Sequence, residues 1–219
     1  MKDMRICFFG DSITAGTGDE TGQGWVGRLA VRDNDGGKRF TAYNLGIRRD
    51  TSRRIAMRWR QEWAHRILDN RPSAIVAMFG INDCAGAEEN YDGVGYGQRV
   101  EADVSLGIAR NMITAMKGVA PVLWLGPTPL VEAMMDDDPP GRPALPPRLE
   151  RLALIDRSYA DCAAEIGVPY LGCLDIFLES EGFMQSLRSG DGVHPSGSGH
   201  QLIAEAVARW PAWRALIGT

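Results

Sequence analysis

Four short apolar runs, each closing on a glycine, constrain this chain more than any other feature. They span residues 5–9 before Gly10, 40–45 before Gly46, 74–79 before Gly80 and 121–125 before Gly126. Runs of this length bounded by turn formers read as β-strands, and the unbroken apolar run 74–79 reads as a central parallel strand covered on both faces. Helical patterns separate them. A short one over 24–30 is stopped by Asn34-Asp35-Gly36-Gly37. A long one over 51–70 repeats Ile55, Trp59, Trp63 and Ile67 at helical spacing, its arginines forming a solvated face. Further helices are expected over 100–117, 149–166 and, after a fifth short strand at 168–171, over 174–187. Ser196 caps a closing helix that runs past Val207 until Pro211 kinks or ends it. This alternation predicts an α/β chain: a three-layer α/β/α sandwich around a five-stranded parallel sheet. Right-handed connections put the strand-end loops on one edge, so Ser12, Gly46, Asn82 and the Thr128 region share it.

The 219 residues fit one domain spanning 1–219 and suffice for a full core. A net charge of −4 with acids and bases interleaved argues against a nucleic-acid partner. Cys7, Cys84, Cys162 and Cys173 lie far apart and read as reduced thiols, without metal or redox spacing. The stretch before Gly10 is too short for a secretory signal, and no later run could span a bilayer. A cytoplasmic protein without stable membrane insertion is expected; a homo-oligomer is left open.

Ser12 follows the first strand in Gly10-Asp11-Ser12, at the sheet edge where ligands bind in open parallel sheets. An alcohol needs a neighbouring base to become a nucleophile near neutral pH. The chain has three histidines. His65 lies in a long helix and reads as a surface residue; His200 lies in the closing helix and reads as making a local hydrogen bond. His194 stands in a glycine-rich loop three residues after Asp191, where a compact turn lets the carboxylate hold one ring nitrogen while the other faces outward. Ser12 as nucleophile, His194 as base and Asp191 as orienting acid make an acyl-transfer triad. The oxyanion donors expected with it are the backbone N–H groups of Ser12 and Gly46 and the side-chain amide of Asn82, all at strand ends.

Gly10-Asp11-Ser12-Ile13, Asn44-Leu45-Gly46, Gly80-Ile81-Asn82-Asp83 and Asp191-Gly192-Val193-His194 resemble, in order, the blocks of the GDSL esterase/lipase family, also called the SGNH hydrolases. The resemblance implies a flavodoxin-like fold, ester hydrolysis through a covalent acyl-enzyme, no metal or organic cofactor, and the site roles just given. Ile13 departs from the family's leucine, a volume-conserving exchange. The Gly-x-Ser-x-Gly elbow of other hydrolases is unmatched, because Thr14 holds its last position.

Asp11, Asp83, Tyr91, Tyr96 and Thr128 are further candidates for substrate contact at the same edge. Asp11 and Asp83 also read as loop braces, Asn44 as a cap on its strand turn, and Trp59 and Trp124 as core. The loop 84–97 has the length of a functional segment. The segment 136–147, with its aspartates and prolines, reads as a surface rim. A serine esterase acting on small carboxylic esters is the function expected. A carbohydrate O-deacetylase, a lysophospholipase or thioesterase, or an acyltransferase would use the same machinery. A non-catalytic ligand-binding module would be expected to have lost Ser12, Asn82 or His194, and none is missing.

Overall fold

Ile6, Cys7, Phe8 and Phe9 are all fully buried although their side chains alternate in direction, so the first strand must be covered from both sides. The computed structural model describes residues 4–34, 40–67, 71–84, 100–135 and 148–218. In it, strands β1 (Met4–Gly10), β2 (Phe40–Gly46), β3 (Ser73–Met78), β4 (Val122–Leu125) and β5 (Tyr170–Leu171) form one parallel sheet in the order β2-β1-β3-β4-β5. One face carries Cys7, Phe9, Ile75, Ala77 and Trp124 against helices α3 (Ser52–Arg66), α4 (Ala102–Lys117) and α5 (Arg148–Ile166). Phe79 and Trp124 stack there with Tyr159 against both rings. The other face carries Ile6, Phe8, Val76 and Leu125 against α2 (Gly24–Asp33), α6 (Cys173–Leu178), α7 (Glu181–Arg188), α8 (Gly197–Arg209) and α9 (Pro211–Ile217). Its centre is Phe8, edge-on to Trp25 and beside Trp213, whose indole N–H donates to Asp33 at 2.7 Å. This is the expected three-layer α/β/α architecture.

The long helix stops at Arg66, short of the expected residue 70, with Ile67 as its C-cap. The segment expected as one helix over 174–187 is two, because Ser180 is extended and its hydroxyl accepts the Phe183 N–H, which starts α7 afresh. Pro211 opens α9 at its first turn, where a missing N–H costs nothing. All four cysteines are free and buried. No described helix is long and apolar enough to cross a membrane.

Parallel pairing sets Gly10 level with Gly46 on one side and Met78 on the other. The segments leaving β1, β2 and β3 therefore emerge side by side, and everything that follows is built on that edge.

Candidate active site

Directly after β1, Asp11 turns the chain. Its side chain accepts the Ile13 N–H at 2.9 Å and so caps the short helix α1 (Ser12–Ala15). Ser12 becomes the first helical residue, whose N–H has no acceptor inside the helix. Burial pushes the Asp11 carboxyl up to about 7 against the lowering effect of the Ile13 N–H, and the charges of Asp83 and Asp50 add to the rise.

His194 Nε2 lies 2.8 Å from Ser12 Oγ, across 182 positions of sequence. On the far side of the ring, Nδ1 lies 2.6 Å from Asp191 Oδ2, while Asp191 Oδ1 accepts the backbone N–H groups of Val193 and His194 at 3.0 and 2.8 Å. A carboxylate at Nδ1 requires that nitrogen to carry the proton, which leaves Nε2 as an acceptor facing the serine hydroxyl. Partial burial opposes ionisation of Asp191, yet the backbone and ring donors of His194 and the Val193 N–H hold its carboxyl below the usual range. The carboxylate, its side chain 59% exposed to water, is charged at neutral pH.

The loop after α1 clasps the segment that carries His194. Gly18 has a left-handed backbone (φ +94°), and a methyl group there would run into the Pro195 carbonyl and crowd His194 Cβ. Glu20 Oε2 accepts the Gly197 N–H at 2.9 Å, capping α8 from outside, since Ser196 makes no side-chain cap bond. Asp19 is held in turn by Arg28 through Nε and Nη2, at 3.0 and 2.9 Å. His200 does not make the local bond expected of it. It is fully buried and its Nε2 donates to the Thr17 carbonyl at 3.0 Å, across 183 positions. Burial lowers its pKa, with the Thr17 carbonyl acting the other way, so the ring is neutral.

Of the expected oxyanion donors, the Ser12 N–H opens α1 and has no acceptor within that helix. Asn82 Nδ2 gives one hydrogen to the Asp50 carbonyl at 3.0 Å and carries a second. The Gly46 N–H is a correction: it is bonded at 3.0 Å to Asn44 Oδ1, whose own amide donates to the Thr14 carbonyl at 2.8 Å. Gly46 is needed for a different reason, because any side chain would strike the backbone of Thr14 and Ala15 where α1 packs on β2. Asp11, Asp83 and Thr128 are buried, as is Ser12 itself. Asp83 accepts from the Ser52 N–H at 2.8 Å, Ser105 Oγ at 2.5 Å and the Tyr159 hydroxyl at 3.2 Å, which pins the start of α3 to α4 and α5. Burial raises its pKa despite these donors. Thr128 buries its hydroxyl without a partner among the described residues. Tyr91 and Tyr96, with most of the loop 84–97 and the segment 136–147, lie outside the described residues.

A model of the GDSL-like lipase/acylhydrolase family matches residues 8–202. The chain belongs to the GDSL-like lipase/acylhydrolase family. It is therefore a carboxylic ester hydrolase. Esterase TesA of Pseudomonas aeruginosa is 27% identical to this GDSL-like chain over 216 residues, covering 98% of the chain and 90% of the relative. A crystal structure of TesA matches with a TM-score of 0.68 at 25% identity, over 97% of this chain and 99% of that one. The lipase/acylhydrolase from Enterococcus faecalis shares the fold (TM-score 0.72, 21% identity, 98% and 96% covered). So does an acetylxylan esterase from Geobacillus stearothermophilus (0.70, 20%, 98% and 94%).

Two features of this GDSL-like hydrolase escape the sequence patterns. Arg58, expected on a solvated face, folds back under the strand ends: Nε donates to Asp50 Oδ2 at 2.7 Å, and Nη2 to the carbonyls of Leu45 and Gly10 at 2.8 and 3.1 Å. Arg49 is the one non-glycine residue with positive φ (+67°) among the described residues. It occupies the third position of a turn closed by Asp50 N–H on the Ile47 carbonyl, where a residue with a side chain costs about 1 kcal/mol or more. Backbone strain of this sort clusters at functional sites.

Proposed function

We propose that the protein is a serine esterase that cleaves small carboxylic esters through Ser12, His194 and Asp191, with the Ser12 N–H and the Asn82 amide as oxyanion donors. The observation that carries this reading is the continuous chain from Ser12 Oγ through both ring nitrogens of His194 to Asp191, with bonds of 2.8 and 2.6 Å. Nε2 takes the hydroxyl proton as Oγ bonds to the ester carbon, and Asp191 stabilises the imidazolium that forms. The carbonyl electron pair moves onto oxygen, where donors already in place are worth roughly 3 kcal/mol each. Collapse of this intermediate breaks the bond to the alcohol oxygen, which takes the proton from Nε2 and leaves an acyl group on Ser12. Water, deprotonated by the same nitrogen, then attacks the acyl-enzyme and releases the acid. The similarity to an esterase along almost the whole chain supports an ester as substrate.

A nitrophenyl ester series from acetate upward tests both class and size. Ser12→Ala is expected to lose all measurable cleavage while its thermal unfolding matches the parent, and turnover is expected to be highest on the short acyl chains. Parent-like turnover in the variant would remove Ser12 as nucleophile, and a maximum at long chains would overturn the preference for small esters. Labelling by a fluorophosphonate, mapped to the Ser12 peptide, is the direct positive control.

A further inference from the structure

We infer that Arg58 is a positioning residue for the oxyanion site, acting through Asp50 on the Asn82 amide; this rests on the reading of Asn82 as a donor. Asn82 Nδ2 has its described partner in the Asp50 carbonyl, and an Asn χ2 torsion is broad, so the direction of the remaining N–H depends on where that carbonyl sits. The carbonyl belongs to the turn 47–50, which is exposed over 47–49, buried at Asp50 and strained at Arg49. What fixes the turn from below is Arg58. Its planar fork joins three separate pieces of the platform: the buried Asp50 carboxylate, the Leu45 carbonyl at the end of β2 and the Gly10 carbonyl two residues before Ser12. The guanidinium lies 5.9 Å from the centre of the Phe9 ring, and its third nitrogen faces Glu62 at 4.0 Å. One rigid group therefore sets the nucleophile's strand and the oxyanion donor's anchor in mutual register. A lysine ammonium could satisfy the charge of Asp50 but could not hold all three acceptors in one plane.

A double-mutant cycle with Asn82 tests this, read by kcat and KM on nitrophenyl acetate and by the inhibition constant of an arylboronic acid, whose serine adduct is tetrahedral. Arg58→Met is expected to lower kcat about 10- to 100-fold with KM changed less than about threefold, and to weaken the boronate in parallel. Asn82→Ala is expected to cost about 100- to 1000-fold, and the double variant no more than Asn82→Ala alone. Multiplying losses, or unchanged kcat in an Arg58→Met protein that is merely less stable, would overturn the role of Arg58 and leave Asn82 standing. Parent-like turnover in Asn82→Ala would instead overturn the donor reading itself, and this inference with it. If Arg58→Met does not fold, Arg58→Lys and Asp50→Asn carry the same cycle. The lysine variant is expected to restore folding without restoring kcat, and recovery of both would count against the register argument.

Discussion

Asp191 grips His194 at two places at once, the ring Nδ1 through Oδ2 at 2.6 Å and the backbone N–H through Oδ1 at 2.8 Å. Base and orienting acid thus sit on one tight turn, and the acid fixes both where the histidine starts and which way its ring faces. An asparagine can keep the backbone bond but presents either an amide donor or a neutral oxygen to the ring, which no longer favours the tautomer with a free Nε2. Asp191→Asn is expected to lower kcat about 10⁴-fold with an unchanged melting temperature. A loss below about tenfold in steady-state ester hydrolysis would show that the carboxylate does not govern the tautomer.

The buried His200 ties the loop after α1 to the helix that follows His194. Its folded pKa lies below the ordinary histidine value, so it stabilises the neutral protein above about pH 6.5, and that contribution is lost as the pH falls toward the lowered value, where the unfolded chain binds a proton that the folded one refuses. His200→Gln is therefore expected to be less stable than the parent at pH 7.5, by about 1–3 kcal/mol for the weakened bond to Thr17. The gap is expected to narrow at pH 5.5. Urea unfolding of both proteins at the two pH values measures it, and a gap that widens in acid would contradict the neutral, buried assignment.

Asp11 runs the opposite way. Its folded pKa is raised to about 7 by burial, so its contribution is complete below about pH 4 and declines as the pH rises through 7, because here the folded chain holds a proton that the unfolded one has released. Asp11→Asn retains an oxygen to cap α1 and removes the ionisation. Relative to this variant, the parent is expected to lose stability steadily from pH 4.5 to 7 and to stay level above pH 8. A pH-independent difference in urea midpoint would show that Asp11 ionises freely at its buried position.

The strands and their order along the chain were legible because they rest on local signals, apolar runs that end in glycine, and so was the carboxylate three residues from an imidazole; Ser12 and His194 were paired because both stand in loops, one at the strand-end edge and the other just before a helix, and together match the family's blocks. Arg58 was not legible. Helical periodicity assigns a residue to a face, but several arginines share that helix, and only the completed sheet reveals which one reaches the strand-end carbonyls beneath it. His200 was missed for the same reason, since its acceptor comes from the opposite end of the chain. Gly46 was read as a donor because a glycine at a strand end suits close approach; the direction of its N–H depends on which neighbour β2 pairs with, and Asn44 already occupies it. The break at Ser180 could have been found, because a serine three residues before Phe183 carries its own capping signal.

Nucleophile and base stand 182 positions apart, and this has a consequence during synthesis. A ribosome delivers Ser12 well before His194, so a nascent fragment that ends between them holds an inert alcohol. On the mechanism proposed above, hydrolysis switches on only once the segment carrying His194 has been made and has folded against Ser12.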